Sequence, residues 1–146
     1  MKIEIINNND KLWNILIKYA KECSWAAGPT LSKWMKDKKF KDFERVIVAY
    51  EEDIICGYCT VTKEDCIPDV SYTPYIGFVY VDVNYRGNRL SEKMIDFACG
   101  YIKSIGFDKA YLTSDHENLY EKYGFKVIDT KKAYWGSLEK IYMKEL

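Results

Sequence analysis

A short loop rich in glycine and arginine lies between two strongly patterned segments in the middle of the chain. It reads Arg86-Gly-Asn-Arg-Leu-Ser91. The first N–H groups of a helix have no partner within the helix, and the helix dipole favours negative charge there, so such a loop can hold a phosphate group. Arg86 and Arg89 would add charge-assisted hydrogen bonds. The loop is equally consistent with an ordinary strand-to-helix turn whose arginines are solvated.

The segments on either side must position this loop. The preceding residues, Tyr75 to Val83, are aromatic and β-branched, which predicts a β-strand with Val79 and Val81 on the same face as Val83. After the loop, apolar residues recur at three- and four-residue steps, which predicts a helix. The members of this helical stripe are Leu90, Met94, Phe97, Ala98, Tyr101, Ile102 and Ile105.

The composition is that of a folded soluble protein. The chain has 146 residues, of which 48% are hydrophobic and 30% charged, enough for a substantial core. Basic and acidic residues balance at 22 each, which argues against a general nucleic-acid or anionic-membrane binder. No apolar run approaches a membrane span, and the first residues do not read as a secretory signal. We therefore expect a cytoplasmic protein with no nucleic-acid or membrane partner.

The five cysteines are an odd number in a chain without a secretory signal, so we expect them to be reduced. Cys56-Gly-Tyr-Cys59 has the C-x-x-C spacing of some zinc and redox sites. A second ligand pair is missing, and residues three apart on a strand point to opposite faces. The pattern therefore predicts buried small side chains and no metal site.

The remaining patterns predict the element order β-α-α-β-β-β-α-β-α-β-β, an α/β domain over residues 1–146 with a central mixed β-sheet flanked by helices. The polar stretch from Lys63 to Pro74 is a loop that is a candidate for substrate contact. Asp65 and Asp69 lie in this loop, where a carboxylate is usually only solvated. An exposed final strand would allow a homodimer. Strands are predicted at 2–6, 44–50, 54–62, 75–83, 109–113, 125–128 and 138–146, and helices at 12–23, 29–35, 90–105 and 117–123.

A second motif, Leu119-Tyr-Glu-Lys-Tyr-Gly-Phe125, follows the glycine–arginine loop by about one helix and one strand. Together with Tyr85-Arg-Gly-Asn-Arg-Leu-Ser91, it resembles the GNAT superfamily of acyl-CoA-dependent N-acetyltransferases. The resemblance covers nearly the whole chain, because the element order and the V-x-V ending of the central strand also match.

The resemblance implies acetyl-CoA as cosubstrate and no metal. The backbone of Val79, Tyr80 and Val81 would pair with the pantetheine arm as an added strand would, and the Val81 N–H would stabilise the oxyanion. The loop would cradle the diphosphate with main-chain N–H groups. Its residues are Arg86, Gly87, Asn88, Arg89, Leu90 and Ser91.

The loop departs from the family pattern Q/R-x-x-G-x-G/A at two positions. Arg89 and Ser91 replace small residues, and Val83 stands where the family often has proline. Glycine tolerates either sign of φ and allows close approach to the backbone. Arg89 must therefore direct its side chain outward or onto the phosphate.

The resemblance also implies that Tyr120 is the general acid that protonates the leaving CoA thiolate. The alternative for Tyr120 is a helix tyrosine that only packs beside Phe125. The base that would deprotonate the amine is not identified. Its candidates are Asp69, Asp82, Glu117 and His116, and a water relay would need no dedicated residue.

The parts that the family varies most would choose the substrate, and here they are rich in aromatic side chains. Aromatics with a few carboxylates suit a small cationic amine through cation–π contacts. A protein or peptide amine is the alternative substrate. Two readings from other classes are a CoA-binding regulatory module with little catalysis and an interaction module that has lost CoA. The aromatic residues of the predicted cleft are Trp25, Trp34, Tyr72, Tyr75, Tyr134 and Trp135.

Overall fold

Seven strands form one mixed sheet in the order β1-β2-β3-β4-β5-β7-β6. The structure is a computed structural model that describes residues 1–114, 116 and 118–146. Neighbouring strands are antiparallel except β4 and β5, which are parallel. The strands are β1 (Lys2–Ile6), β2 (Arg45–Glu51), β3 (Ile54–Thr62), β4 (Tyr75–Val81), β5 (Lys109–Ser114), β6 (Lys126–Lys132) and β7 (Leu138–Glu145).

Helices cover both faces of this sheet. The α1 helix (Lys11–Glu22) and the α2 helix (Gly28–Lys36) pack on one face, and the α3 helix (Leu90–Ser104) packs on the other. Short 3₁₀ turns occur at Val83–Tyr85 and Tyr120–Tyr123. The element order and the mixed sheet flanked by helices agree with the prediction. Within the described residues, none of the helices has the length and apolar character needed to cross a bilayer.

The buried side of α3 is turned slightly from the predicted stripe. Ile95 and Cys99 are buried, whereas Phe97 and Ile105 are 36% and 39% exposed. Both sets have helical spacing, so contact with the sheet decides which one is buried. The side chains of α3 that pack against β2, β3 and β5 are Leu90, Met94, Ile95, Ala98, Cys99 and Ile102.

The opposite face of the sheet packs against α1 and α2. Here Trp13, Leu16 and Ala20 of α1 are buried. Leu12 and Ile15, each next to a residue of this stripe, are only partly buried. The second core carries the aromatic side chains that border the cavity described below.

Three predictions about the strands are wrong, each because of pairing that sequence patterns do not show. The final strand β7 is not exposed at an edge, since it lies between β5 and β6 and pairs with both. The argument for a homodimer through that strand therefore fails. β6 runs to Lys132, beyond the predicted end at residue 128. The prediction ended too early because an edge strand with solvated side chains shows little apolar alternation. Val83 begins a 3₁₀ turn, so it does not continue β4.

The two cysteines of the C-x-x-C segment do not point to opposite faces. The β2–β3 register passes from Ala49–Gly57 to Tyr50–Ile55, which leaves Cys56 as an extra residue in β3. This bulge changes the alternation, so Cys56 and Cys59 both lie in the core beneath α3. Both are buried free thiols, as the prediction of small core side chains requires.

Candidate active site

β4 and β5 separate soon after they begin. Tyr75–Tyr111 is the one registered pair between them in the described residues, supported by the Tyr111 N–H bond to the Pro74 carbonyl at 3.0 Å. β4 remains paired with β3 from Tyr75 to Val81. The edge of β4 that faces β5 is therefore open over most of its length, and we call this opening the β4–β5 gap.

A bulge re-aims the backbone of β4 inside this gap. Tyr58 pairs with Tyr80 but Thr60 pairs with Gly77, so β4 contains one residue more than β3 between these pairs. Phe78, in the bulge, has a φ of +49°, which is uncommon for a residue other than glycine. Non-glycine residues persist in this conformation only where the surroundings hold them, and they are frequent at functional sites.

The Val81 backbone points into the gap. The Asp82 N–H donates to the Cys56 carbonyl at 2.8 Å, so Asp82 forms a hydrogen-bonded pair with β3. Such pairs alternate along an antiparallel ladder, so the N–H and C=O of Val81 face away from β3. The Val81 carbonyl accepts a hydrogen bond from Arg86 Nε at 3.0 Å. The Val81 N–H therefore faces the gap, where it could donate a hydrogen bond to an oxyanion.

A cavity of about 870 Å³ occupies the β4–β5 gap and continues toward the α1–α2 connection. Its floor is β4 from Ile76 to Val81, and β5 contributes Leu112 to Ser114. Tyr120 and His116 border it beyond the end of β5. Of the six predicted cleft aromatics, Trp25, Trp34, Tyr134 and Trp135 line it. Tyr72 and Tyr75 are outside the lining.

The aromatic wall on the α1–α2 side is built by ring contacts. Trp25 stacks on Tyr80 with centroids 5.6 Å apart and planes 7° apart. Trp34 meets Phe78 edge-on at 5.3 Å. The bulge at Phe78 therefore connects the open edge of β4 to the wall of the cavity. On the opposite side, Tyr134 and Trp135 are 70% and 66% exposed and project from the β6–β7 connection.

The loop before α3 has the backbone of a tight turn into a helix. Gly87 has a φ of +86°, and Arg89, at the N-cap of α3, has a φ of +59°. Arg89 thus takes the left-handed conformation for which glycine is best suited, at a cost of about 1–2 kcal/mol. Its guanidinium turns outward and binds Glu92 through two hydrogen bonds of 2.8 and 3.0 Å. This is one of the two orientations expected for a residue larger than glycine.

The other loop side chains serve different purposes. The Arg86 guanidinium lies 5.7 Å from the Tyr80 ring centre and lines the cavity. Leu90, the first residue of α3, is buried. Ser91 Oγ is 2.8 Å from the Tyr123 hydroxyl, which ties the start of α3 to the turn that carries Tyr120. Asn88 is exposed.

Tyr120 lies in the 3₁₀ turn after β5 and is 8% exposed. Its ring packs against Phe125 and Tyr142, as the packing interpretation predicts. The ring contacts leave the hydroxyl as the part of the side chain that could act as an acid. Burial raises the pKa of Tyr120 to about 12. At neutral pH the side chain is therefore a phenol, which can donate a hydrogen bond into the cavity.

A polar pocket that the sequence did not indicate lies beside the bulge. A Cβ placed on Gly77 would be 3.5 Å from both Asp65 Oδ2 and Thr60 Oγ1. Thr113 Oγ1 donates to the same Asp65 oxygen at 3.4 Å. All four residues line the cavity. We call the space bounded by Thr60, Asp65, Gly77 and Thr113 the Gly77 pocket.

The groups of the Gly77 pocket are poorly solvated. Burial raises the pKa of Asp65, although hydrogen bonds from the Cys66 backbone and from Thr113 oppose that shift. Thr60 is fully buried, and its hydroxyl has no hydrogen-bond partner among the described residues. Sequence reasoning missed this pocket because the path of a loop, which no periodicity reports, brings Asp65 over β4.

The base candidates from the sequence lie in other surroundings. Asp69 is exposed and is not part of the cavity lining. Asp82 accepts a hydrogen bond from Tyr19 outside the cavity, and although burial opposes it, this bond helps to hold the pKa of Asp82 below its usual value. His116 is exposed and borders the cavity near Tyr120, with ring centres 6.5 Å apart. Glu117 lies outside the described residues.

Removing the unpartnered hydroxyl of Thr60 is expected to stabilise the fold. An unsatisfied buried hydroxyl costs about 1–3 kcal/mol, so Thr60→Val should raise the free energy of unfolding by about 1 kcal/mol. Tyr75 carries the second such hydroxyl, and Tyr75→Phe should act in the same direction. Urea unfolding of both variants and the wild type measures this. Destabilisation by either variant would mean that its hydroxyl has a partner.

A family model described as an acetyltransferase (GNAT) domain matches residues 42–127, more than half of the chain. The chain therefore belongs to the GNAT acetyltransferase family and is an acyltransferase. The matched region contains the β4–β5 gap, the loop before α3 and Tyr120. No curated protein sequence matches the chain.

Solved structures share the fold over almost the whole chain. The aminoglycoside 6′-N-acetyltransferase from Enterococcus faecium is 18% identical with a TM-score of 0.74, covering 99% of this chain and 97% of that one. An aminoglycoside 6′-N-acetyltransferase complexed with coenzyme A is 15% identical with a TM-score of 0.73 at the same coverage. A ribosomal-protein-alanine N-acetyltransferase from Brucella melitensis is 17% identical with a TM-score of 0.68, covering 100% of both chains. At these identities, the likeness shows the fold alone.

Proposed function

We propose that residues 1–146 form a single domain that transfers the acetyl group of acetyl-CoA to the primary amine of a small cationic molecule. One observation carries this proposal. The β4–β5 gap presents an open strand edge, and Tyr120 and an acidic, aromatic cavity border the same space. An extended thioester and an amine can therefore meet there.

The residues of the gap fit acetyl-CoA. An open strand edge binds an extended amide-containing chain such as pantetheine through main-chain hydrogen bonds, with Val79, Tyr80 and Val81 as its partners. Arg86 lies where the gap meets the loop before α3, in reach of a diphosphate that follows pantetheine. The remaining loop, Gly87 to Ser91, offers the N–H groups at the start of a 15-residue helix.

Tyr120 would act on the leaving sulfur as a hydrogen-bond donor. A thiol has a pKa of roughly 8.5, so complete transfer from a phenol of pKa about 12 to a free thiolate is unfavourable. The phenol is useful while the carbon–sulfur bond breaks, because negative charge then develops on sulfur. Its proton must be replaced in the same process.

The residues that line the cavity away from Arg86 favour a cationic acceptor. Their carboxylates are Glu64, Asp65 and Glu139, and their aromatic faces are those described above. Among the described lining residues, Arg86 is the sole arginine or lysine, and it lies at the CoA end. Carboxylates and aromatic faces together attract an ammonium group and repel anions.

A panel of amines tests this proposal. Release of CoA thiol and the mass of the acetylated product should be followed with spermidine, tryptamine, an aminoglycoside and a peptide that begins with alanine. We expect transfer to one or more of the three small amines and little to the peptide. Transfer to the peptide alone would make the chain a protein N-acetyltransferase. Binding of acetyl-CoA without transfer to any acceptor would favour a CoA-binding module.

The two arginines of the loop should contribute unequally to acetyl-CoA binding. Arg89 already binds Glu92 through both carboxylate oxygens, whereas the Arg86 side chain borders the cavity. A charge-assisted hydrogen bond contributes about 1.5–3 kcal/mol, so Arg86→Gln should raise the Kd for acetyl-CoA by about tenfold or more. Arg89→Gln should change it by less than about threefold, as expected of a weak exposed ion pair. Calorimetric titration compares the two, and a larger effect at Arg89 would reverse the assignment.

A further inference from the structure

We propose that Asp65 receives the proton of the acceptor ammonium in the Gly77 pocket, with the Thr60 hydroxyl binding the same nitrogen or a water beside it. This inference rests on the proposed function and names the base that the sequence left open.

The position of Asp65 supports this role. Its Oδ2 lies against Gly77, the residue before the bulge at Phe78, where β4 is open toward β5. Its Oδ1 accepts the Cys66 N–H at 2.7 Å, which holds the carboxylate in one orientation. Because Gly77 has no side chain, Asp65 Oδ2 and Thr60 Oγ1 can both lie close to the backbone of β4 at this position. From this position, Asp65 would take the proton of an amine that lies in the cavity between the Gly77 pocket and the acetyl carbon.

Thr60 is the second, independent observation. A buried hydroxyl without a partner is rare in folded proteins, because each one lowers stability. Thr60 is one of the residues that line the cavity, and its Oγ1 lies 3.5 Å from the Cβ position of Gly77, as the Asp65 oxygen does. A substrate N–H or a water would satisfy it. The Tyr75 hydroxyl also lacks a partner among the described residues, but Tyr75 does not line the cavity.

The surroundings of Asp65 favour a carboxylate that can take a proton. The titratable groups that act on it are the Cys66 thiol beside it, the Tyr75 phenol of β4 and the Glu139 carboxylate of β7. Burial raises the pKa values of the Cys66 thiol and the Tyr75 phenol, and burial is also the largest cause of the raised pKa of Asp65 itself. A raised pKa makes the carboxylate a stronger base than an exposed aspartate.

The proton and electron balance is complete with the groups present. The ammonium gives one proton to Asp65, and the freed nitrogen pair forms the bond to the acetyl carbon. The carbon–sulfur bond breaks, and its electron pair leaves on sulfur, which takes the proton of the Tyr120 hydroxyl. The second nitrogen proton replaces that of Tyr120. Asp65 then releases its proton to solvent, so one proton is produced per acetyl group transferred to an ammonium.

Asp65→Asn is the central variant, and Asp69→Asn is its matched control. Asparagine keeps the acceptor for the Cys66 N–H, so the fold should be retained. Asp69 lies in the same loop, is exposed, and has a φ of +57° that asparagine tolerates. With the best amine of the panel, Asp65→Asn should lower kcat about 10²-fold at pH 7, and Asp69→Asn should leave it unchanged. The Kd for acetyl-CoA, measured by calorimetry, should be the same in both variants.

The pH profile separates proton transfer from a structural effect. In the wild type, kcat/KM should be level between the pKa of Asp65 and that of the amine, and should fall on the acid side as the carboxylate is protonated. In Asp65→Asn the amine must arrive neutral, so kcat/KM should rise about tenfold per pH unit up to the pKa of the amine. A β,β-difluoro analogue of the amine, of which a large fraction is neutral at pH 7, should recover part of the lost rate.

Thr60→Val supplies a readout that a structural role would not move. It should raise stability, as Tyr75→Phe should, but it alone should lower kcat/KM, by about tenfold. A loss below threefold in Asp65→Asn, or an unchanged wild-type pH profile in that variant, overturns the inference. If the wild type transfers acetyl to no amine, the proposed function itself fails. If both the wild type and Asp65→Asn are active, only the role of Asp65 fails.

Discussion

Replacing Tyr120 with phenylalanine is expected to lower kcat by about 10²–10⁴-fold while acetyl-CoA binding and stability stay nearly unchanged. The ring makes the packing contacts with Phe125 and Tyr142, and phenylalanine keeps them. Only the hydroxyl is lost. Without that donor, the sulfur must leave as an unassisted anion, so the loss appears in kcat and not in KM.

The control for this variant is Tyr101→Phe. The Tyr101 hydroxyl donates to the Phe43 carbonyl at 2.7 Å, away from the cavity, so its loss should leave kcat unchanged. Because the pKa of Tyr120 is about 12, its ionisation should not reduce the wild-type rate below about pH 11. Stopped-flow measurement of thiol release gives kcat for both variants. If Tyr120→Phe keeps more than a third of the wild-type kcat, Tyr120 contributes packing and is not the general acid.

Replacing Gly28 with alanine is expected to destabilise the protein by about 3 kcal/mol. A Cβ at Gly28 would be 2.1 Å from the Ala20 carbonyl oxygen and 2.8 Å from Cys23 Sγ. The carbonyl belongs to the backbone of α1, so relief requires α1 and α2 to move apart. For a domain of this size, the change corresponds to a fall in Tm of about 6–12 °C.

The same variant should also weaken acceptor binding, because the α1–α2 connection carries Trp25 and α2 carries Trp34. Gly100→Ala is the matched control. Gly100 lies on the exposed side of α3, and a Cβ there would meet nothing within 4 Å, so alanine should stabilise by about 0.5–1 kcal/mol. Calorimetric unfolding measures both variants. A Gly28→Ala protein as stable as the wild type would show that the α1–α2 contact is not rigid.

Periodicity and turn chemistry were sufficient to predict the order of the elements. The alternation of β4 and the helical spacing after Arg89 were local signals, and the two motifs located the loop and Tyr120. What these signals cannot report is pairing between distant segments. The insertion of β7 between β5 and β6 depends on a contact between strands that are far apart in sequence, and the edge strand β6 lacks the apolar alternation that would have shown its length.

The candidate site was predictable only where it coincides with a motif. Gly77 within a strand pattern is a weak signal of a bulge, but the position of the extra residue becomes visible only against the register of β3. Asp65 and Asp69 have the same residue type in the same loop, yet one faces the cavity and the other faces solvent. The packing of the loop over β4, and not local sequence, makes that difference.

Amide hydrogen exchange with and without acetyl-CoA tests most directly whether the β4–β5 gap holds the cosubstrate. We expect saturating acetyl-CoA to slow exchange in residues 76–81 of β4 and in residues 86–91 of the loop. Adenosine 3′,5′-diphosphate, which lacks the pantetheine arm, should not slow exchange in β4. Protection of both segments by acetyl-CoA would place the pantetheine arm along the open edge of β4. Binding of acetyl-CoA with no change in β4 would contradict this placement, and with it the position assigned to the acetyl group beside Tyr120 and the Gly77 pocket.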